Sequence, residues 1–440
     1  MLEIIIFIVL IIAVSALVII ERNQYKTYLT PFILFSVPYI IIIFYQVLVT
    51  NIYRWKNVSA IYLFYVLIYL ITFYFVGAFT IQFMKSFKRN NQSSSNIQSC
   101  NYNQEMILMK HKHQRLKIIE IISLASSIYL IIFFIFSSRG LYNVGMVVQE
   151  EFQSKYSTGV NFYLRLFCMI GTIYFWGLSN KSNRKFILLG FLCFIPNFLS
   201  FVKGIAFINV IGSVLANLIS NKRKIKVSVL LKVLLVGLII FFLVYMIEIG
   251  IWNPNKLFER ETYEFIYGKL NSYLVSGVQS FNINISNSEN LFKGLPNPVY
   301  APVINLIAKL GLAERIEAIN NVWITIGYIP NYGPSTVNTN TYIGTLSLYC
   351  GFFIGLLVNS IISTIIYYFF WKAIRTQKTI HIVRYSLMVT GLVLAWFEYY
   401  YMQTFWFYLV LIFFLIDFIN RFRIVKNKKI NKKYIIKESV

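Results

Sequence analysis

Apolar runs of about bilayer length, separated by short polar breaks, recur along almost the whole chain, and they are neither helical nor strand-like in period. This recurrence limits the chain to a polytopic membrane protein rather than a soluble core. A hydrocarbon layer of roughly 30 Å takes about 20 apolar residues per helix. Eleven segments of about that length fall near 2–20, 29–49, 59–83, 118–136, 161–179, 186–202, 205–219, 229–248, 341–371, 383–398 and 403–420. The first begins at the second residue without a basic leader or a small-residue cleavage site, and reads as a retained span. Hydrophobic residues make up 58% of the 440 and aromatics 18%, which supplies both the spans and their interfacial rings.

A net charge of +25 would suit a nucleic-acid partner, but its placement points elsewhere. Lys and Arg crowd alternate loops: Lys85 to Lys117, Lys181 to Lys185, Lys222 to Lys226, Lys372 to Arg384, and the tail from Arg421. By the positive-inside rule those loops are cytoplasmic, so no nucleic-acid partner is expected. The C-terminus then lies inside and, with an odd number of spans, the N-terminus outside. His111, His113 and His381 all fall in cytoplasmic loops, Asp417 is the lone Asp, and the four Cys have no paired spacing. No metal site or disulfide framework can be assembled from these, and no cofactor is expected.

Residues 1–249 read as a bundle of about eight spans, interrupted by a polar cytoplasmic loop over 85–117. Residues 250–340 form a large external loop, 341–420 the last three spans, and 421–440 a basic cytoplasmic tail. The external loop carries the turn-like "GLPNPVYAP" and an amphipathic pattern from Val303 to Gly327 that predicts a helix. Its apolar content argues for an ordered cap. The expected fold is all-α, with about 11 transmembrane helices and this one large loop.

Four cations sit at or near the external face, where the charge bias tends to exclude them: Arg139, Lys203, Arg260 and Arg315. Lys203 with Gly204 lies at the turn between two short spans, where it could hold an anion or simply snorkel to the interface. Arg139 with Gly140 has the same logic, and a guanidinium grips phosphate in a forked geometry. Arg260 and Arg315 also have glutamates close by, so surface ion pairs are the competing reading. Arg165 falls in the first two turns of a span and should face protein or the interface. Among the acids, Glu398 in "AWFEYYYMQTFWFY" lies amid rings that could desolvate it and raise its proton affinity, as suits a general base, or that could be the ordinary aromatic belt of a membrane interface. Glu264 is a second candidate base. The strip "TVNTNTYIG" opens the ninth span with hydrogen-bonding residues, of which Asn338, Asn340, Thr341 and Tyr342 could bind sugar hydroxyls or phosphate, or could cap the helix.

Three features together resemble the bacterial Wzy-type oligosaccharide repeat-unit polymerases of O-antigen and capsule synthesis. These are the eleven-span layout with its large external loop before the last three spans, the stretch "NTNTYIGTLSLYCGFFIG" from Asn338, and the basic-Gly turn in "FLSFVKGIAFINVIGSVL". The chain departs from the pattern in having Cys350 and Gly351 ahead of its aromatic pair, where the family often has Asp, and Lys203 where Arg is commoner. The resemblance implies a GT-C-like membrane glycosyltransferase in the bacterial cytoplasmic membrane. It would move a growing glycan from undecaprenyl pyrophosphate onto a second lipid-linked oligosaccharide without a metal. It implies a flippase and a chain-length regulator as partners, along with the bilayer. The external cations would then steady the leaving pyrophosphate, and Glu398 or Glu264 would activate the acceptor. A lipid-linked oligosaccharide flippase and an O-antigen ligase are the competing expectations. The large loop argues against the first, and the lack of an external His against the second.

Overall fold

The structure, a computed structural model, describes residues 2–92, 116–138, 155–156, 158–180, 183–200, 203–223, 227–252, 254–287, 297–316, 324–329 and 333–419. It is mostly helical (82%). Five helices are long and apolar enough to cross a membrane: α1 (Leu2–Tyr25), α2 (Pro31–Tyr53), α3 (Ala60–Gln92), α4 (Lys117–Ser138) and, after further elements, α11 (Tyr342–Thr376). Between and beyond these lie α5 (Gly159–Leu178), α6 (Lys185–Phe198), α7 (Lys203–Ser220), α8 (Val227–Trp252), α9 (Arg260–Asn287), α10 (Ala301–Ala308), α12 (Thr379–Val393) and α13 (Phe405–Ile419). Each of the eleven apolar runs read from the sequence overlaps one of these helices.

Two groups of helices make the bundle. In the first, α11 crosses α3 closely: Asn359 donates to the Tyr69 carbonyl at 3.0 Å and Ser363 to the Phe73 carbonyl at 2.6 Å. The buried Glu21 of α1 joins this group by accepting from Thr30 and from Tyr367, each at 2.5 Å. In the second, α4, α5, α6 and α7 pack together, and α12 links both groups. Arg384 of α12 pairs with Asp417 of α13 at 2.6 Å, its guanidinium 5.2 Å from the Phe413 ring centroid. Such a pair neutralises two charges that neither helix could bury alone.

The segment expected as one external loop departs most from expectation. Residues 260–287 form a continuous helix that lies against α2, α3, α8 and α11. The helix expected over Val303–Gly327 is only Ala301–Ala308. Past Ala308 the chain turns at Gly311, whose φ of +75° is a left-handed conformation, while the Leu312 N–H reaches back to the Ile307 carbonyl at 3.3 Å. Beyond it the fold is not all-α: β1 (Ile324–Ile329) and β2 (Gly333–Val337) form an antiparallel hairpin, Ile324 opposite Val337 and Tyr328 opposite Pro334. The run "ITIGYI", rich in β-branched and aromatic residues and followed by Pro, Asn and Gly, carries that preference. Ile326 of β1 is buried with Trp55 and Val275, which seats the hairpin on α2 and α9.

Candidate functional site

Helix α9 is the unexpected centre of the site. Its polar residues Asn271, Ser272, Ser276, Gln279, Ser280, Asn282 and Asn284 are all buried. A buried amide costs free energy unless it is hydrogen-bonded, and these are answered by distant parts of the chain. Tyr45 donates to Asn271, and Gln46 to Gln279. Gln279 in turn donates to the Lys56 carbonyl at 3.1 Å, and Asn282 accepts from the Ser59 N–H at 2.9 Å. Asn340 receives Ser280 at 3.0 Å and Asn284 at 3.1 Å.

The Asn- and Thr-rich strip before α11 is thereby clamped to α9. Thr341 caps α11, accepting from the Gly344 N–H at 2.8 Å, and the Tyr342 N–H donates to the Ala395 carbonyl at 2.7 Å. The side chain of Tyr342 enters the core, where its hydroxyl donates to Asn359 at 3.0 Å and its ring meets Tyr399 at 5.4 Å. Asn338 alone of the four stays half-buried.

The bond to Ala395 joins this strip to the connection between α12 and α13, which holds Glu398. Tyr399, Tyr400 and Tyr401 are buried there. Tyr401 donates to the Met388 carbonyl, and the Tyr400 carbonyl accepts from the Trp406 indole, both at 2.7 Å. Phe397 stacks on Tyr273 of α9, with centroids 5.7 Å apart and planes inclined by 14°, and lies 6.4 Å from Tyr400. This closeness requires Gly277: a Cβ there would fall 2.2 Å from the Phe397 carbonyl oxygen. A Cβ at Gly204 would stand 3.0 Å from the Tyr400 hydroxyl, so the Lys203–Gly204 turn borders the same place. Phe207, one turn further along α7, packs with Phe241 of α8.

Glu398 is half-buried in an aromatic connection whose Phe397 stacks on Tyr273 of α9, and its carboxyl has no hydrogen-bond or ion-pair partner among the described residues. Burial pushes that carboxyl up to about 7. A proton acceptor poised near neutrality, with one side still open, has the protonation behaviour of a general base.

The structure brings Glu398, Asn340, Thr341 and Tyr342 toward one region, with the backbone at the start of α7 beside Tyr400, and leaves others apart. Arg260 is nearly fully exposed and donates to Glu264 at 2.8 Å, so these two are engaged with each other at the start of α9. Arg315 is exposed beyond α10. Arg165 is buried in α5 with its guanidinium 5.8 Å from the Tyr156 ring centroid. Arg139, with His111, His113 and the basic tail, lies outside the described residues. Among the described residues no group of three His, Cys, Asp or Glu side chains could hold a metal ion.

A family model described as "Family of unknown function (DUF6337)" matches residues 57–426. The chain belongs to DUF6337. That match takes in α9, the strip before α11 and the whole Glu398 connection of the DUF6337 site, while Tyr45, Gln46 and Lys56, which meet α9, precede it. No curated protein and no solved structure matches the chain.

The site residues that sequence reading missed are those of α9. Their signal was faint: Ser272, Ser276 and Ser280 recur every four residues and Asn282 and Asn284 follow, a helical spacing of small polar residues within an otherwise apolar face.

Proposed function

We propose that this DUF6337 chain is a multi-pass glycosyltransferase of GT-C-like plan in the bacterial cytoplasmic membrane, with about eleven spans, its N-terminus outside and its C-terminus in the cytoplasm. It joins undecaprenyl-pyrophosphate-linked oligosaccharide repeat units into O-antigen or capsular polysaccharide. The observation that carries this reading is Glu398: an unpartnered, half-buried carboxyl with a proton affinity near neutrality, set among stacking rings beside a basic-Gly turn. In the proposed step Glu398 takes the proton of an acceptor sugar hydroxyl, whose oxygen bonds to the anomeric carbon of the growing glycan. The anomeric carbon–oxygen bond to pyrophosphate breaks, and its electron pair leaves with undecaprenyl pyrophosphate. Lys203 and Arg139 offset the charge that builds on that leaving group. Tyr273 and Phe397 present ring faces of the kind on which the apolar faces of sugars stack.

Deleting the gene and resolving the surface glycan on a gel tests the reading. A single repeat unit at the surface in place of a ladder is expected, with little rescue by Glu398→Gln. A normal ladder in the deletion strain overturns it, and repeat units trapped inside the cell would favour a flippase.

A further inference from the structure

Residues 297–316 form a strap that buries Val299, Ala301 and Pro302 at its start and turns an apolar edge outward over α10 and the turn after it. The amide of Asn305 turns inward, donating to the Ile316 carbonyl and accepting from the Ile316 N–H, both at 2.8 Å. The apolar side chains point out: Val303 and Ile307 on α10, then Leu310 and Leu312, which are 72% and 76% exposed. Water would favour the reverse arrangement.

Both anchors of the strap lie below the ends of the helices that hold them. Asn297 donates to the carbonyl of Tyr349, the eighth residue of α11, roughly 10 Å along that helix from its start. Lys309 donates to the hydroxyl of Tyr163, about one turn into α5, at 3.0 Å, and its ammonium stands 4.6 Å from the ring centroid of Tyr408, about one turn into α13. Phe162, Tyr163 and Tyr408 meet edge to face at 5.3–5.8 Å, so this is a built seat. The strap thus lies against helix flanks rather than above them. Val160 of α5 and Phe353 of α11 are exposed apolar neighbours at the same ends of their helices.

We infer that residues 300–312 are an interfacial anchor, with Val303, Ile307, Leu310 and Leu312 immersed in the acyl-headgroup boundary of the leaflet at this end of the bundle. Lys309 and Arg315 flank the apolar residues, as cations do beside the phosphate layer. The inference needs α5, α11 and α13 to cross the bilayer, and it is independent of the chemistry proposed for Glu398.

An environment-sensitive fluorophore on Leu312→Cys, or on Leu310→Cys where the first variant does not insert, tests it in proteoliposomes of phosphatidylglycerol and phosphatidylethanolamine. The same fluorophore on Thr336→Cys of the exposed hairpin is the aqueous reference. The expected result is strong quenching by lipids spin-labelled high on the acyl chain, and loss of the iodide quenching seen at Thr336→Cys. Iodide quenching equal to that reference would overturn the inference, as would protection from both quenchers, which would mean that a second copy covers the strap.

Discussion

At the scale of single residues, Glu398 decides most. Its folded proton affinity lies above the ordinary carboxylate value of 4.5, so the native state holds the proton more tightly than the unfolded chain between pH 4.5 and about 7. The stability this contributes is complete below the lower value and is lost as pH rises through the upper one. Melting of the detergent-solubilised protein should therefore fall between about pH 5 and about pH 8, and Glu398→Gln should flatten that decline. If Glu398 is the base, transfer in membranes should rise with pH through about 7, and the Gln variant should lose that limb together with most of its rate. Asn340 makes a different prediction. Its carbonyl oxygen is the shared acceptor for Ser280 and Asn284, so Asn340→Ala removes the acceptor of the buried Ser280 hydroxyl, leaves Asn284 its 3.3 Å bond to Ser280, and should cost about 1–3 kcal/mol in a denaturation assay.

Among the elements, α11 and α9 carry the site and were unequally legible. The ninth apolar run was plain, as was its polar start. Its interior break was not: Gly351 has φ +73° and ψ 171°, a region that only glycine occupies readily. Gly351→Ala should cost about 1–3 kcal/mol or straighten the helix, and paired spin labels on the two halves of α11 would register the change in distance. Helix α9 was unreadable for a physical reason. Asn271, Gln279 and Asn282 belong in a membrane protein's interior only because Tyr45, Lys56 and Ser59, more than two hundred residues earlier, answer them. Local pattern cannot report a partner so remote. The hairpin was lost because an amphipathic period was carried past Gly311, where the backbone turns. Gly277→Val tests the seating of α9. It should push Phe397 and Glu398 out of place and lower transfer, while chains still reach the membrane at normal amounts on an immunoblot.

Across the whole molecule, composition made the run of long apolar helices legible, because it is summed over many residues and survives local errors. Candidate cations were harder to judge. For Arg260 the sequence left an anion site and an ion pair open, and the structure has the ion pair, with Glu264 on an exposed helix start. The proposed topology predicts that a cysteine at Lys222 reacts with an impermeant maleimide only after the cell is opened, whereas one at Thr336 reacts in intact spheroplasts. Labelling of both in intact cells would refute the orientation.

The bond from Asn297 to the Tyr349 carbonyl also bears on how such a chain is built during synthesis. The donor is made fifty-two residues before its acceptor, so the strap precedes α11 in synthesis and, in the proposed topology, is in place before α11 enters the membrane. A broken helix exposes peptide groups that lipid cannot satisfy. Here the amide that answers one of them is supplied in advance, and the order of residues along the chain becomes an order of assembly in which α11 docks onto a part already in place.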